Sequence, residues 1–331
     1  MQLEVEQPVL KDALTALKRI TDSRSPNTIV SSVHLYAQDD RLYLTAVNFV
    51  VEMRFSIPAK VTAPGVTIVP AEQMSKWVDA VSGKISLDLK ETRLNMRCGS
   101  SRSYLNIIQI GQFPPVSFPD EQSLVSTTCG ALSSAINQVK IAAYDNENNV
   151  IANSIYVDVI PNSIVLVANN STCMAIKEIP YEGELTGHVL INKKSATQLE
   201  RLLSSRQGNC DLYLSDSRLT VKTISEFNST EVWFSCLILN SPYPNFRKIM
   251  TVFDNACHFK LVTDDLRNSI NQAIIFVVEE QPGIIVDFEK DMMTVKNVEV
   301  AGAQKVGGVA SQIDVIDFTG EEISSKYNAL Y

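Results

Sequence analysis

The chain repeats itself, and the length of the repeat limits what it can fold into. Leu10-Lys11-Asp12-Ala13-Leu14-Thr15-Ala16-Leu17-Lys18 has the apolar spacing of an amphipathic helix. The same spacing returns at Leu132-Ser133-Ser134-Ala135-Ile136-Asn137-Gln138-Val139-Lys140 and at Leu266-Arg267-Asn268-Ser269-Ile270-Asn271-Gln272-Ala273-Ile274, and these two copies share an Ile-Asn-Gln core. The copies lie roughly 120 to 135 residues apart, well beyond the roughly 20–50-residue units of solenoids, so each heads a whole domain. Three like domains in one chain suit a curved or ring-like assembly that works through a concave face.

Each copy opens with an alternating strand, continues into the helix and then into paired strands. In the first, Leu3 and Val5 begin the strand, Pro8 sits in the tolerant first helical turn, and Leu10, Ala13, Leu14, Leu17 and Ile20 line one face. Strands at 30–37 and 41–47 flank Gln38-Asp39-Asp40 as a hairpin. A second half follows: a strand at 66–70, a helix at 71–81, and strands at 85–89, 93–97 and 103–110. The second domain has the same course: a helix at 132–142, strands near 151–159, 163–168 and 189–191, a helix at 194–203, and strands at 211–214, 218–223 and 231–239. The third copy gives a helix at 264–277 and strands at 283–289, 292–298 and 312–318, with the glycines of 302–308 marking a flexible loop. At 324–331, where a second-half helix is due to begin, the sequence stops, so the third domain is expected to be partial. The expected fold class is α+β, with helices on one face of antiparallel sheets. Proline-rich exits at Phe113-Pro114-Pro115-Val116-Ser117-Phe118-Pro119 and Ser241-Pro242-Tyr243-Pro244-Asn245-Phe246 set the domains at 1–120, 121–243 and 244–331.

Little in the chain points to catalysis. There is no phosphate-binding glycine loop, GxSxG or HExxH. The carboxylate pairs Asp39-Asp40, Asp264-Asp265 and Glu279-Glu280 fall at turns or helix ends, where they cap or solvate. Six cysteines without CxxC spacing and three scattered histidines argue against a zinc site and for free thiols in a reducing compartment. Asn170-Ser171-Thr172 and Asn228-Ser229-Thr230 match the glycosylation tripeptide without a secretory signal beside them. No run is apolar for long enough to span a bilayer, and the acidic, alternating start is unlike a signal peptide, so the expected compartment is the cytoplasm. No catalytic residue, metal or cofactor is expected.

The formal net charge is −8, so any nucleic-acid surface has to be local. Cations recur on the repeated helices and just beyond them: Lys11, Lys18, Arg19 and Arg24 in the first domain, Lys140, Lys193, Lys194, Arg201 and Arg206 in the second, Arg267 in the third. Singly, each suits an ordinary solvated face. Their recurrence around a pseudo-symmetry axis would gather them on one surface that holds phosphates without reading bases.

Phe113-Pro114-Pro115-Val116, Tyr243-Pro244-Asn245-Phe246-Arg247-Lys248-Ile249, Thr45-Ala46-Val47-Asn48 with Val51-Glu52-Met53, Val69-Pro70-Ala71 and the closing segment 325–331 give the chain a resemblance, over its whole length, to the β sliding clamps of bacterial DNA polymerase III. The resemblance implies a non-catalytic, head-to-tail homodimer. Its six domains close around double-stranded DNA, without sequence preference, and tether the polymerase. It puts Arg24 and Lys194 on DNA contacts. Tyr104, Leu105, Ile275 and Phe276 fall at the dimer interface, the last two on the apolar end of the first helix of domain three. Ala152, Met174, Pro244, Phe246, Lys248 and Ile249 fall in a groove for short linear motifs of the polymerase α subunit and the clamp loader. The chain departs from the family at Asn170-Ser171-Thr172-Cys173-Met174, where Asp-Gly-His-Arg-Leu is usual, at Pro26-Asn27-Thr28-Ile29, and in lacking the C-terminal Met-Pro-Met-Arg-like segment. These departures suit an alternative reading, an accessory clamp-fold protein that binds partners without loading on DNA.

Overall fold

The computed structural model describes residues 1–108, 113–116, 118, 125–146, 148–225, 227–251, 258–277, 283–298 and 308–328. The chain forms two units, Met1–Tyr243 and Pro244–Tyr331.

The first repeat of the first unit runs β1 (Gln2–Glu6), α1 (Gln7–Lys18), β2 (Ser32–Gln38), β3 (Arg41–Val47), β4 (Val51–Pro58), β5 (Lys60–Ala63), β6 (Gly65–Pro70), α2 (Ala71–Ala80), β7 (Lys84–Lys90), β8 (Arg93–Cys98) and β9 (Ser101–Asn106). Leu10, Ala13, Leu14 and Leu17 are buried along one face of α1, as the spacing requires. Asp39 and Asp40 both take positive φ (49° and 54°), the left-handed pair that lets a two-residue turn match the twist of the β2–β3 hairpin.

The second repeat runs β10 (Val125–Thr128), α3 (Cys129–Val139), β11 (Ser154–Ile160), β12 (Ser163–Asn169), β13 (Met174–Pro180), β14 (Gly187–Asn192), α4 (Lys193–Leu203), β15 (Asn209–Leu214), β16 (Arg218–Ile224) and β17 (Glu231–Leu237). Side chains at both helix starts satisfy backbone donors: Thr128 accepts from the Ala131 N–H at 3.1 Å and Asn192 from the Ser195 N–H at 2.7 Å. The helix expected at 132–142 ends at Val139 and tightens into a 3-10 turn at Lys140–Ala142. The strand expected from 151 begins at Ser154, because the Asn149 side chain takes the Ala152 N–H into a turn.

Sheet order repeats with the sequence. The strands order as β4-β3-β2-β6 in the first repeat and β13-β12-β11-β14 in the second. The other half of each repeat orders as β1-β7-β8-β9 and β10-β15-β16-β17. Within each repeat the two helices pack together, α1 on α2 and α3 on α4. The seam between repeats is β17 against β4, antiparallel from Glu231 opposite Ser56 to Cys236 opposite Val51, which fuses two four-stranded sheets into one of eight. One apolar core runs across the seam, with Phe55 and Phe234 fully buried in it. Arg218 on β16 pairs with Glu52 on β4 at 3.3 Å; burial raises the Glu52 carboxyl above its ordinary value and the nearby Arg218 opposes that rise. Arg54 lies 4.8 Å over the Phe118 ring, and Phe113 stacks on His34 at 4.8 Å, so the first proline-rich exit is fastened to the sheet. Burial, helped by Arg54, depresses the His34 pKa and so favours the neutral imidazole.

The second unit contains α5 (Phe246–Met250), β18 (His258–Lys260), α6 (Thr263–Ile274), β19 (Gly283–Phe288), β20 (Met292–Asn297), β21 (Ala310–Asp314), β22 (Asp317–Thr319) and β23 (Ile323–Asn328). Its main sheet, β21-β20-β19-β23, repeats the first-half order, and α6 packs on it through Ala273 over Ile284, Val286, Met293, Val295 and Ile313. The single strand expected at 312–318 is two, β21 and β22, each paired with a different partner. The helix expected to begin at 324 is replaced by β23, which pairs with β19 as β6 pairs with β2 and β14 with β11. The expectation for the third repeat left out the strand that precedes the second helix in the other two, β6 and β14, and put the helix in its place. The flexible loop expected at 302–308 lies outside the described residues except for Gly308.

Phe234 fills the shared core at the seam, so Phe234→Ala should remove about 3–5 kcal/mol of unfolding free energy. Urea denaturation followed by tryptophan fluorescence measures this; a loss below about 1 kcal/mol contradicts a seam built on packing.

Candidate nucleic-acid interface

The ten cations expected to face DNA divide in two. Five are held in ion pairs. Lys11 on α1 meets Asp79 on α2 at 3.2 Å, and Lys140 meets Glu200 on α4 at 3.1 Å. Lys193, at the start of α4, reaches Asp145 at 2.7 Å and the Ala143 carbonyl at 2.6 Å. Arg267 folds back on Asp264 at 2.6 Å in the first turn of α6. Arg206 donates to Asp12 of α1 at 2.9 Å and lies 5.1 Å over the Phe55 ring; its side chain is only 9% exposed. Three of these pairs tie helix to helix or repeat to repeat, Lys193 ties α4 to the loop after α3, and the Arg267 pair closes one turn of α6.

The other five, Lys18, Arg19, Arg24, Lys194 and Arg201, are exposed and form no ion pair among the described residues. Arg19, Arg24, Lys194 and Arg201 cluster where the end of α1 meets α4, while Lys18 ends α1 near Glu72 of α2. Arg19 caps α1, and its guanidinium points to the Arg201 carbonyl at 3.5 Å, while the Gln198 amide donates to the Arg19 carbonyl at 3.4 Å. Arg24 sits in a loop ordered by Asp22, whose side chain accepts the Arg24 N–H at 3.0 Å. Arg19, Arg24 and Lys194 line one cavity of about 400 Å³ between the repeats. The sequence named the cations without showing which ones carboxylates from distant segments would claim.

The remaining expected site residues lie as follows. Ala152 is buried and Met174, the first residue of β13, is half-buried, both in the first unit. In the second unit, Pro244 is exposed, Phe246 is buried at the start of α5, and Lys248 and Ile249 are exposed on that helix. Tyr104 is 53% exposed on β9 with Arg93 4.5 Å over its ring, and Leu105 packs on the core. Ile275 is exposed and Phe276 half-buried, but α6 ends at Ile274, so both fall in the turn after the helix and not on it. Among the described residues, no group of three or more His, Cys, Asp or Glu is placed to hold a metal ion, and no helix is long and apolar enough to cross a membrane.

Repeated helix-on-sheet modules joined edge to edge, with cations left unpaired where their helices meet, make a clamp-type scaffold. Two family models match in tandem: the N-terminal domain of the DNA polymerase III beta subunit over residues 1–117 and its central domain over residues 128–245. The chain is similar to the beta sliding clamps of Caulobacter vibrioides (23% identity, covering 100% of this chain and 88% of that protein) and Streptomyces coelicolor (21%, 100% and 86%). Its fold is similar to solved sliding clamps from Bacillus subtilis (TM-score 0.89, 18% identity) and C. crescentus (TM-score 0.86, 24% identity), each over 100% of this chain and 88% of the other. The chain therefore belongs to the DNA polymerase III beta subunit family, the sliding clamps, which are non-catalytic processivity factors.

The division of the cations has a measurable consequence. Arg206→Ala, which breaks the Asp12 pair and uncovers Phe55, should cost about 1–3 kcal/mol of stability. Single alanine replacements of Lys18, Arg19, Arg24, Lys194 or Arg201 should stay within about 0.5 kcal/mol of the parent. Thermal unfolding of the six variants tests both halves; equal losses would show that the division is not real.

Proposed function

We propose that the chain acts as a sliding clamp that encircles duplex DNA and tethers a replicative polymerase. The observation carrying this reading is the cluster of unpaired cations at the α1–α4 junction, on a chain whose relatives are sliding clamps. Exposed lysines and arginines without base-reading geometry hold phosphates through counterion release and do not fix a register. The tether then works by effective concentration: a polymerase bound to a closed ring rebinds the primer end before it can diffuse away. Short linear motifs of the polymerase α subunit and the clamp loader are the partners we infer for Ala152, Met174, Pro244, Phe246, Lys248 and Ile249. The exposed Ile249 and Lys248 on α5 supply the apolar and cationic character such motifs need.

We infer that the ring closes as a head-to-tail homodimer, and the internal seam supplies the pattern. Within the chain, the last strand of one repeat, β17, pairs with β4, the third strand of another repeat's first half. The equivalent strands are β9 and β21, and each ends its sheet with no partner on its outer side among the described residues. β21 of a second copy against β9 would satisfy both edges as the internal seam does. Tyr104, Leu105, Ile275 and Phe276 are the side chains we assign to this contact.

Loaded on a nicked circle by a clamp loader, the protein should be retained through gel filtration and released when the circle is linearised; equal retention on both would overturn encirclement. Arg24→Ala and Lys194→Ala should each lower the salt dependence of DNA binding by about one counterion, with no change in sequence preference.

For the dimer, Tyr104→Asp should turn a dimer into a monomer in sedimentation velocity while keeping the parent melting temperature. A variant that still sediments as a dimer places the contact elsewhere.

A further inference from the structure

The cavity between the two repeats holds a feature that duplex binding does not use. Phe49 stands on the β3–β4 turn with 77% of its surface exposed, at the rim that also carries Arg19, Arg24 and Lys194. The turn itself is fixed. The Asn48 side chain accepts the N–H groups of Val50 (2.8 Å) and Val51 (2.7 Å) and donates to the Ile20 carbonyl at the end of α1 (3.0 Å). The Val50 carbonyl accepts the Leu237 N–H of β17 at 2.9 Å, so the second repeat also holds the turn. A large apolar ring is thus presented to solvent on a support pinned from both repeats. Lys194 and Arg24 beside it have no ion pair among the described residues. Asp22 also lines the cavity, with one carboxylate oxygen occupied by the Arg24 N–H.

We propose that this cavity is a subsite for an unpaired nucleotide of single-stranded DNA, with the base stacked on Phe49 and the phosphate held by Arg24 and Lys194. The proposal rests on the reading of this surface as DNA-facing and goes beyond it. At about 400 Å³ the cavity lies within the roughly 300–1,000 Å³ of small-ligand sites, large enough for one nucleotide and too small for a duplex. Base faces are hidden in a duplex and free in a single strand, and an aromatic ring beside cations is the pairing that binds single strands without reading sequence. The Gln198 amide at the cavity wall donates to the Arg19 carbonyl at 3.4 Å, leaving its oxygen to meet a base edge. A clamp with such a subsite would favour junctions where duplex gives way to single strand.

The test uses the full chain with fluorescent oligo-dT and, separately, a blunt duplex hairpin, read by anisotropy at low salt. Phe49→Ala should weaken oligo-dT binding by about tenfold and change duplex binding by less than about twofold. Phe49→Trp should keep oligo-dT affinity and show quenched emission on binding. The double variant Arg24→Ala/Lys194→Ala should weaken both ligands. If the double variant loses both and Phe49→Ala changes neither, the subsite is overturned and the DNA-facing surface stands. If the double variant binds both as the parent does, the reading of the surface as DNA-facing falls and the subsite with it. Equal weakening of oligo-dT and duplex by Phe49→Ala also overturns the subsite, because it makes Phe49 a general support of the surface.

Discussion

The antiparallel pairing of β17 with β4 is the contact on which the first unit depends. Each strand would otherwise present a row of unsatisfied backbone groups, and joining them removes two edges at once. A one-residue slip would turn every β17 side chain to the other face and take Phe234 out of the core it shares with Phe55. The helices on that sheet are thereby set against each other across the repeats. Asp12 of α1 reaches Arg206 beyond the end of α4, and the Arg19 carbonyl reaches Gln198. The junction that gathers Arg19, Arg24 and Lys194 is a product of the seam and not of either repeat alone.

Local pattern reveals local structure. The i, i+4, i+7 spacing of Leu10, Leu14 and Leu17 and the adjacent aspartates at 39 and 40 specify α1 and the first hairpin without help from the rest of the chain. The seam was not visible this way. Residues 51–58 carry no strand assignment in the sequence reading, and their pairing with 231–237 is a choice between distant segments that no short window encodes. β13 is hidden for a different reason: most of its residues are half-buried, so its apolar alternation is weak. The ending of the third repeat is hidden in the sequence because β23 is short of apolar residues and mostly exposed, although the sheet order of the other repeats demands a strand there.

The same limit applied to the candidate site. The sequence supplied the cations, and the fold decided which ones remained free. Arg206 and Asp12 are 194 residues apart, and Lys140 and Glu200 are 60 apart. An intramolecular carboxylate within 3 Å or so competes with a phosphate for the same donors, and in a partly buried pair it has the advantage of being held in place.

This sorting fits a protein that retains DNA by topology. A chain that held DNA by affinity would be expected to leave every recurring cation free, because each phosphate contact adds to the counterion-release term. Here half of them are held in intramolecular ion pairs, and the net charge stays at −8. A ring needs only enough attraction to centre the duplex, and weak, additive contacts allow it to move where a tight complementary surface would hold it still. Cations withdrawn into ion pairs lower affinity and stiffen the scaffold at the same time. For a clamp those two effects act in the same direction: the scaffold must stay closed, and the DNA inside it must remain free to slide.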